Sequence, residues 1–388
     1  MPNLNGYIKK FGSVPFSEKP FTDADNVALC YIYYMPFEQV VSASFDDEPV
    51  PYDEAAKALF KARGSKHKPV GLILMKNISV QMMAMSRQPR FAEMKMVACT
   101  DNFGKEPAVQ FNAATFLLPS GEVVVVFRGT DDSLAGWKED FDILIEDDIP
   151  SHELATEYLE QVAAKFDGDL IVCGHSKGGY VAQYSALHAS EQVRNRIKYL
   201  YNNDGPGLAD YGYLDSEAYQ QLLPKYRHFI PQSSFIGMML SHDDDYTVVK
   251  SVRQVGMMEH DLSTWQFKNG ELKTARGLTN KGKVTDLVFH DVVSNLDGKQ
   301  SAAFAKALNS IIEGVDQEGL MDVAKNLPAS IKGGKAAYDA LDDETKNALK
   351  EISEGVKKSV RSSVKTVITG NYTTVRERLE EESEETKE

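Results

Sequence analysis

The chain has 388 residues, 57 of them acidic against 43 basic, for a formal net charge of −14. Phosphate binding needs a basic footprint, so this balance excludes a nucleic-acid binder and argues against electrostatic docking on anionic lipid. It does not bear on apolar insertion into a membrane surface. With 42% hydrophobic residues the chain reads as a soluble globular protein, longer than one typical core, so a large domain with appendages is expected.

No run approaches the roughly 18 to 20 continuous apolar residues of a membrane span; the densest are Val123 to Phe127 and Leu170 to Cys173. The N-terminal MPNLNGYIKKFGSVPF carries lysines with no apolar region behind them, so no secretory signal is expected. Cys30, Cys99 and Cys173 are odd in number and far apart. They form neither a metal-ligand spacing nor a disulfide framework, which points to the cytoplasm, and Cys173 reads as a small core residue.

In chain order, the first ~50 residues give no sharp periodicity. Asp53 to Ala62 predicts a short helix with acidic residues in its first turn. Ala114 to Phe127 predicts two strands joined at Pro119-Ser120-Gly121, the second apolar on both faces and therefore inside a sheet. Leu154, Tyr158, Leu159, Val162 and Phe166 make a helical stripe over Ser151–Phe166. Strands follow at Asp169–Gly174, Ile197–Asn202, Tyr226–Pro231 and Tyr246–Ser251, with a small-residue helix after the first. Such alternation predicts an α/β fold, with a mostly parallel central sheet and helices on both faces.

From about Gln300 the texture changes. Phe304, Leu308, Ile311, Ile312 and Val315 form one helical face, and Leu341, Ala348, Ile352, Val356, Val360 and Val364 another. The expected organisation is a domain over residues 1–295, a helical extension over 296–375 and a charged, disordered tail over 376–388. Packing on the main domain or on each other is the plainer reading of these helices; contact with a protein partner or with a membrane surface is the other.

Two motifs carry chemistry. Leu170-Ile171-Val172-Cys173 runs into Gly174-His175-Ser176-Lys177-Gly178 and then into the helical pattern. Strand, sharp turn and helix is the setting of a nucleophile elbow, with glycines where the turn crowds its neighbours and Ser176 projecting from the sheet end. Upstream, the buried strand ends in Phe127-Arg128-Gly129-Thr130, followed by Trp137 and Asp140.

FRGT, then W-x-x-D, then GHSxGG in that order resembles the fungal-type (class 3) lipases and their α/β-hydrolase relatives. The match is clear over roughly residues 114 to 265, and the whole chain looks like a bacterial family of uncharacterised hydrolase-like proteins related to those lipases. The resemblance implies an α/β-hydrolase fold and a Ser-His-Asp triad acting on carboxylic esters through an acyl-enzyme. It also implies oxyanion donors at Thr130 and Lys177, where preorganised donors are worth about 3 kcal/mol each. Arg128 and Asp140 are expected to brace that loop. The lipases usually carry an apolar residue where Lys177 stands, which leaves room for an anionic head or acyl-carrier group.

A serine hydroxyl needs a base, and the base an orienting carboxylate. Of the histidines after Ser176, His188 lies too far along the elbow helix and His228 sits inside a strand. His260, in a loop after the last predicted strand, fits best, ahead of His242 and His290. For the acid, Asp204 ends a strand in Tyr201-Asn-Asn-Asp-Gly-Pro-Gly207, similar to the D-x-x-G-P pattern in which pancreatic-type lipases place their acid after this strand; Asp245, in the Asp243–Asp245 cluster, is the alternative. No metal or organic cofactor is expected, and that cluster lacks the spacing of a calcium loop. A thioesterase or amidase would use the same machinery. A hydrolase-fold scaffold binding a partner through its C-terminal helices is the non-enzymatic alternative. Met238-Met239 and Met257-Met258 are core residues or the lining of a pliable acyl pocket.

Overall fold

The structure is a computed structural model that describes residues 3–63, 77–105, 108–130, 149–208, 215–239, 246–253, 256–296 and 338–373, with a few isolated positions between them. Its centre is an eight-stranded sheet in the sequential order β1 to β8. The strands are β1 (Val50–Pro51), β2 (Lys95–Lys105), β3 (Ala108–Leu117), β4 (Val123–Phe127), β5 (Leu170–His175), β6 (Ile197–Asn203), β7 (Tyr226–Pro231) and β8 (Tyr246–Val249). The first three neighbouring pairs are antiparallel and the four from β4 to β8 are parallel. β3 and β4 form the expected hairpin around Pro119-Ser120-Gly121, and β7 keeps its predicted bounds.

Strand side chains alternate between the two faces, and the two faces build separate cores. Val123, Val125, Phe127, Leu170, Val172 and Leu200 point to one side. They meet the helices that follow the parallel strands: α5 (Pro150–Lys165), α6 (Lys177–His188), α7 (Glu191–Arg196) and α8 (Glu217–Leu222). Val124, Val126, Ile171, Cys173, Tyr201 and Phe229 point to the other side. That face is covered by α1 (Leu4–Phe11), α2 (Asp23–Ile32), α3 (Tyr52–Arg63) and α4 (Ile78–Met85). Each buried Val or Ile contributes about 1.5–3 kcal/mol, so both faces need cover.

The N-terminal layer, unremarkable in sequence, is tied down by a buried ion pair. Arg90 and Asp25 are 1% and 0% exposed, with Nη2 and Oδ2 2.6 Å apart and Nε donating to Oδ1 at 2.7 Å. The remaining guanidinium donors go to the carbonyls of Val14, Lys19 and Pro20. Tyr7 Oη and both the amide and hydroxyl of Thr22 donate to the same carboxylate. A buried charge is tolerated only when its partners are all present, and here five donors and one carboxylate are matched.

Beyond the sheet, α9 (Asn280–Asn295) packs on α10 (Asp343–Ile368), which carries the second predicted C-terminal stripe. Ser359 Oγ donates to Asp291 at 2.7 Å, and the Phe235 and Phe289 rings meet edge to face, joining α9 to the loop after β7. Most of the first predicted stripe, 304–315, and the tail, 376–388, lie outside the described residues. Among the described residues no helix is long and apolar enough to cross a membrane.

Candidate active site

Parallel strands leave their carboxyl ends on one edge of the sheet, and the loops there are the ordinary place for a site. Ser176 stands at the end of β5, directly before α6, with φ 58° and ψ −133°. A non-glycine residue in this region is strained, and the strain is held by close packing on both sides. A Cβ on Gly174 would overlap the carbonyl of Gly178, and one on Gly178 would overlap the carbonyl of Phe127. Both glycines of the predicted elbow are therefore steric necessities, and the second seats the Phe127–Thr130 loop against the start of α6.

Asp204, immediately after β6, is likewise strained, with φ 50°. Its amide donates to the carbonyl of Phe229 at 2.7 Å, and the bent backbone leaves the carboxylate at the sheet edge. Oδ1 accepts from Ser234 Oγ and from the Gly237 amide. Oδ2 lies 2.7 Å from Nδ1 of His260. A carboxylate oxygen beside Nδ1 fixes the imidazole with its proton on Nδ1 and a lone pair on Nε2. That Nε2 is buried and has no hydrogen-bond partner.

The backbone of His260 is fixed from the elbow side. His175, the residue before Ser176, donates from Nε2 to the carbonyl of His260 at 2.8 Å, and the two rings lie 4.3 Å apart. Nδ1 of His175 is 2.7 Å from Tyr34 Oη. Burial, followed by the neighbouring His260, pushes the His175 imidazole well below its usual range, so it is neutral. The carboxyl of Glu259 is pushed up by burial, with the Ser233 amide opposing and Asp204 adding to the rise.

Thr130 is buried three residues after the end of β4. Lys177 opens α6, and first-turn amides face beyond a helix N-terminus, toward the elbow. The side chain of Lys177 is buried, and its Nζ donates to the carbonyl of Gln110 on β3 at 2.7 Å. That bond directs one of the three ammonium donors to a strand carbonyl.

Ser176, Asp204, His260, Thr130 and Lys177 are brought to one sheet edge. Asp245, His242, Trp137 and Asp140 lie outside the described residues. The described ion-pair partner of Arg128 is Glu38, with Nη1 and Oε2 3.4 Å apart. His188 stacks on Tyr184 at the far end of α6 from Ser176, His228 is buried within β7, and His290 lies in α9. Met238 is buried and Met258 exposed. Sequence reasoning passed over Tyr34, Ser234 and the work done by His175. No periodicity marks them, and only the quoted GHS motif contained one of the three. Among the described residues no cluster of metal-binding side chains occurs.

No curated protein and no solved structure matches the chain. A family model described as Mbeg1-like matches residues 85–310, more than half of the sequence and the whole of the sheet from β2 onward.

Proposed function

The chain belongs to the Mbeg1-like family, a family related to lipase-like proteins, and from that premise we propose that it is a serine hydrolase cleaving carboxylic esters. One observation carries the reading: a buried imidazole with Nδ1 against Asp204 and an unsatisfied Nε2, on the sheet edge that holds a strained serine. A buried nitrogen left without a partner costs about 1–3 kcal/mol. A general base needs that lone pair open toward its nucleophile.

In this reading Ser176 Oγ attacks the acyl carbon while its proton passes to His260 Nε2. Asp204 holds the tautomer and stabilises the imidazolium. The oxyanion is met by Thr130 and the amide of Lys177. Collapse of the tetrahedral adduct breaks the ester bond, and Nε2 returns the proton to the leaving alcohol. Water then repeats the sequence on the acyl-enzyme, its proton passing through His260 and back to Ser176. The groups suffice without a cofactor.

The test is labelling by a fluorophosphonate probe together with turnover of p-nitrophenyl esters of several chain lengths. The expected result is labelling at Ser176 that Ser176→Ala abolishes, with the fold retained by circular dichroism. No labelling and no turnover on any ester would reject the proposal in favour of a scaffold. Faster turnover of thioesters or amides than of esters would move the substrate class while keeping the machinery.

A further inference from the structure

We infer that Tyr34 and His175 are positioning residues for this reaction: a buried hydrogen-bonded relay that holds the backbone of His260 so that its imidazole faces Ser176. The inference rests on the hydrolase reading and adds to it a part of the chain, before residue 85, that the family model does not match.

The direction of each bond follows from chemistry. A carbonyl oxygen can only accept, so the 2.8 Å bond to the His260 carbonyl requires His175 to carry its proton on Nε2. Nδ1 is then an acceptor, and Tyr34 Oη, at 2.7 Å, must donate to it. Tyr34, His175 and His260 are 2%, 2% and 3% exposed, so water cannot stand in for any of the three. The relay runs one way, from phenol through imidazole to the carbonyl of the residue whose side chain meets Asp204. Chains of this kind polarise and stiffen each member.

A further close approach places the Tyr34 hydroxyl between the elbow and the segment that follows β4. A Cβ on Gly129 would overlap Tyr34 Oη and the carbonyl of His175 and would crowd Cβ of Ser176. The loop leading to Thr130 therefore lies against the same phenol that orients His175. Nearby, Asn203 donates to the carbonyl of Gly174 and exchanges amide hydrogen bonds with Asn26 of α2. The N-terminal helical layer thus grips the elbow on both sides, before Ser176 through Gly174 and beside it through Tyr34. Misplacement of a base by about 1 Å can cost roughly a hundredfold in rate, so a grip on its backbone is kinetically consequential.

The experiment compares Tyr34→Phe, His175→Leu and His175→Gln in the full chain, with the active-site concentration of each titrated by the fluorophosphonate. Tyr34→Phe and His175→Leu are expected to lower kcat per titrated site by roughly tenfold or more with KM within about twofold, because the group they displace orients the base and does not bind substrate. His175→Gln, whose amide can donate to the carbonyl and accept from the phenol, is expected to recover much of the loss. The double variant Tyr34→Phe/His175→Leu should cost no more than the worse single change, as for members of one relay. A purely stabilising contact would lower the titratable fraction and leave kcat per site unchanged; that result overturns the inference while wild-type labelling at Ser176 upholds the hydrolase reading. Absence of labelling in the wild type would instead defeat the reading, and the inference with it.

Discussion

Asp204 and His260 are 56 residues apart in sequence, yet Oδ2 of one is 2.7 Å from Nδ1 of the other, with both side chains almost wholly buried. The carboxylate is set by two turns at the ends of adjacent strands, while His260 comes from the segment beyond β8. Asp204 follows β6, and its other oxygen is held by Ser234 from the loop after β7. The carboxylate belongs to one loop and its anchoring to the next.

Asp204→Asn keeps the shape and presents an amide that need not accept from Nδ1, so the imidazole is free to take the wrong tautomer. Ester turnover is expected to fall on the order of 10³-fold or more with the fold intact. Asp245→Asn is expected to stay within about twofold of wild type. Steady-state kinetics on one p-nitrophenyl ester decides between the two acids, and the opposite ranking would return Asp245 to the site.

The ion pair between Arg90 and Asp25 is expected to behave as a matched unit. Arg90→Met strands a buried carboxylate and should lower unfolding free energy by about 3–5 kcal/mol, measured by urea denaturation. Adding Asp25→Leu should recover a large part of that loss, because the uncompensated charge is gone. A single variant as stable as wild type would show that the N-terminal layer does not depend on this pair.

Stability should depend on pH through His175. Its folded-state affinity for protons is held well below the ordinary value of 6.5, with burial the main cause. Below about pH 6.5 the unfolded chain takes up a proton that the folded chain refuses. The contribution is therefore complete above that pH and is lost as pH falls, at up to about 1.4 kcal/mol per unit. His175→Gln should flatten the decline between about pH 6.5 and 5, read from urea midpoints at each pH. An unchanged slope would mean that other groups set it.

Much of the sheet was readable because its strands announce themselves. Val123 to Phe127 and Leu170 to Cys173 are apolar on both faces, and that is how a strand buried on both sides must look. The elbow was readable for a steric reason, since only glycine fits at 174 and 178. Asp204 and His260 were reachable through the strand ends that carry them. The N-terminal helices were not. α2 is buried along nearly its full length, so it shows no amphipathic stripe, and Asp25 and Asn26 look like surface residues until their partners Arg90 and Asn203 are placed beside them. β2 was missed because Lys95, Thr100, Asp101 and Asn102 break its apolar run near an antiparallel edge. Tyr34 had no local signal at all, because its bond to His175 spans 141 positions.

The sequential order of the strands has an architectural corollary. Stepping always in one direction, right-handed connections deliver the described crossover helices to one side and leave the other side for the leading helices to cover. A fragment trimmed to residues 85–310 would thus present Val124, Val126, Ile171 and Cys173 to water as a continuous greasy wall, inviting self-association. The leading helices are the missing half of a sandwich, and the sheet with its crossover helices cannot be cut free of them.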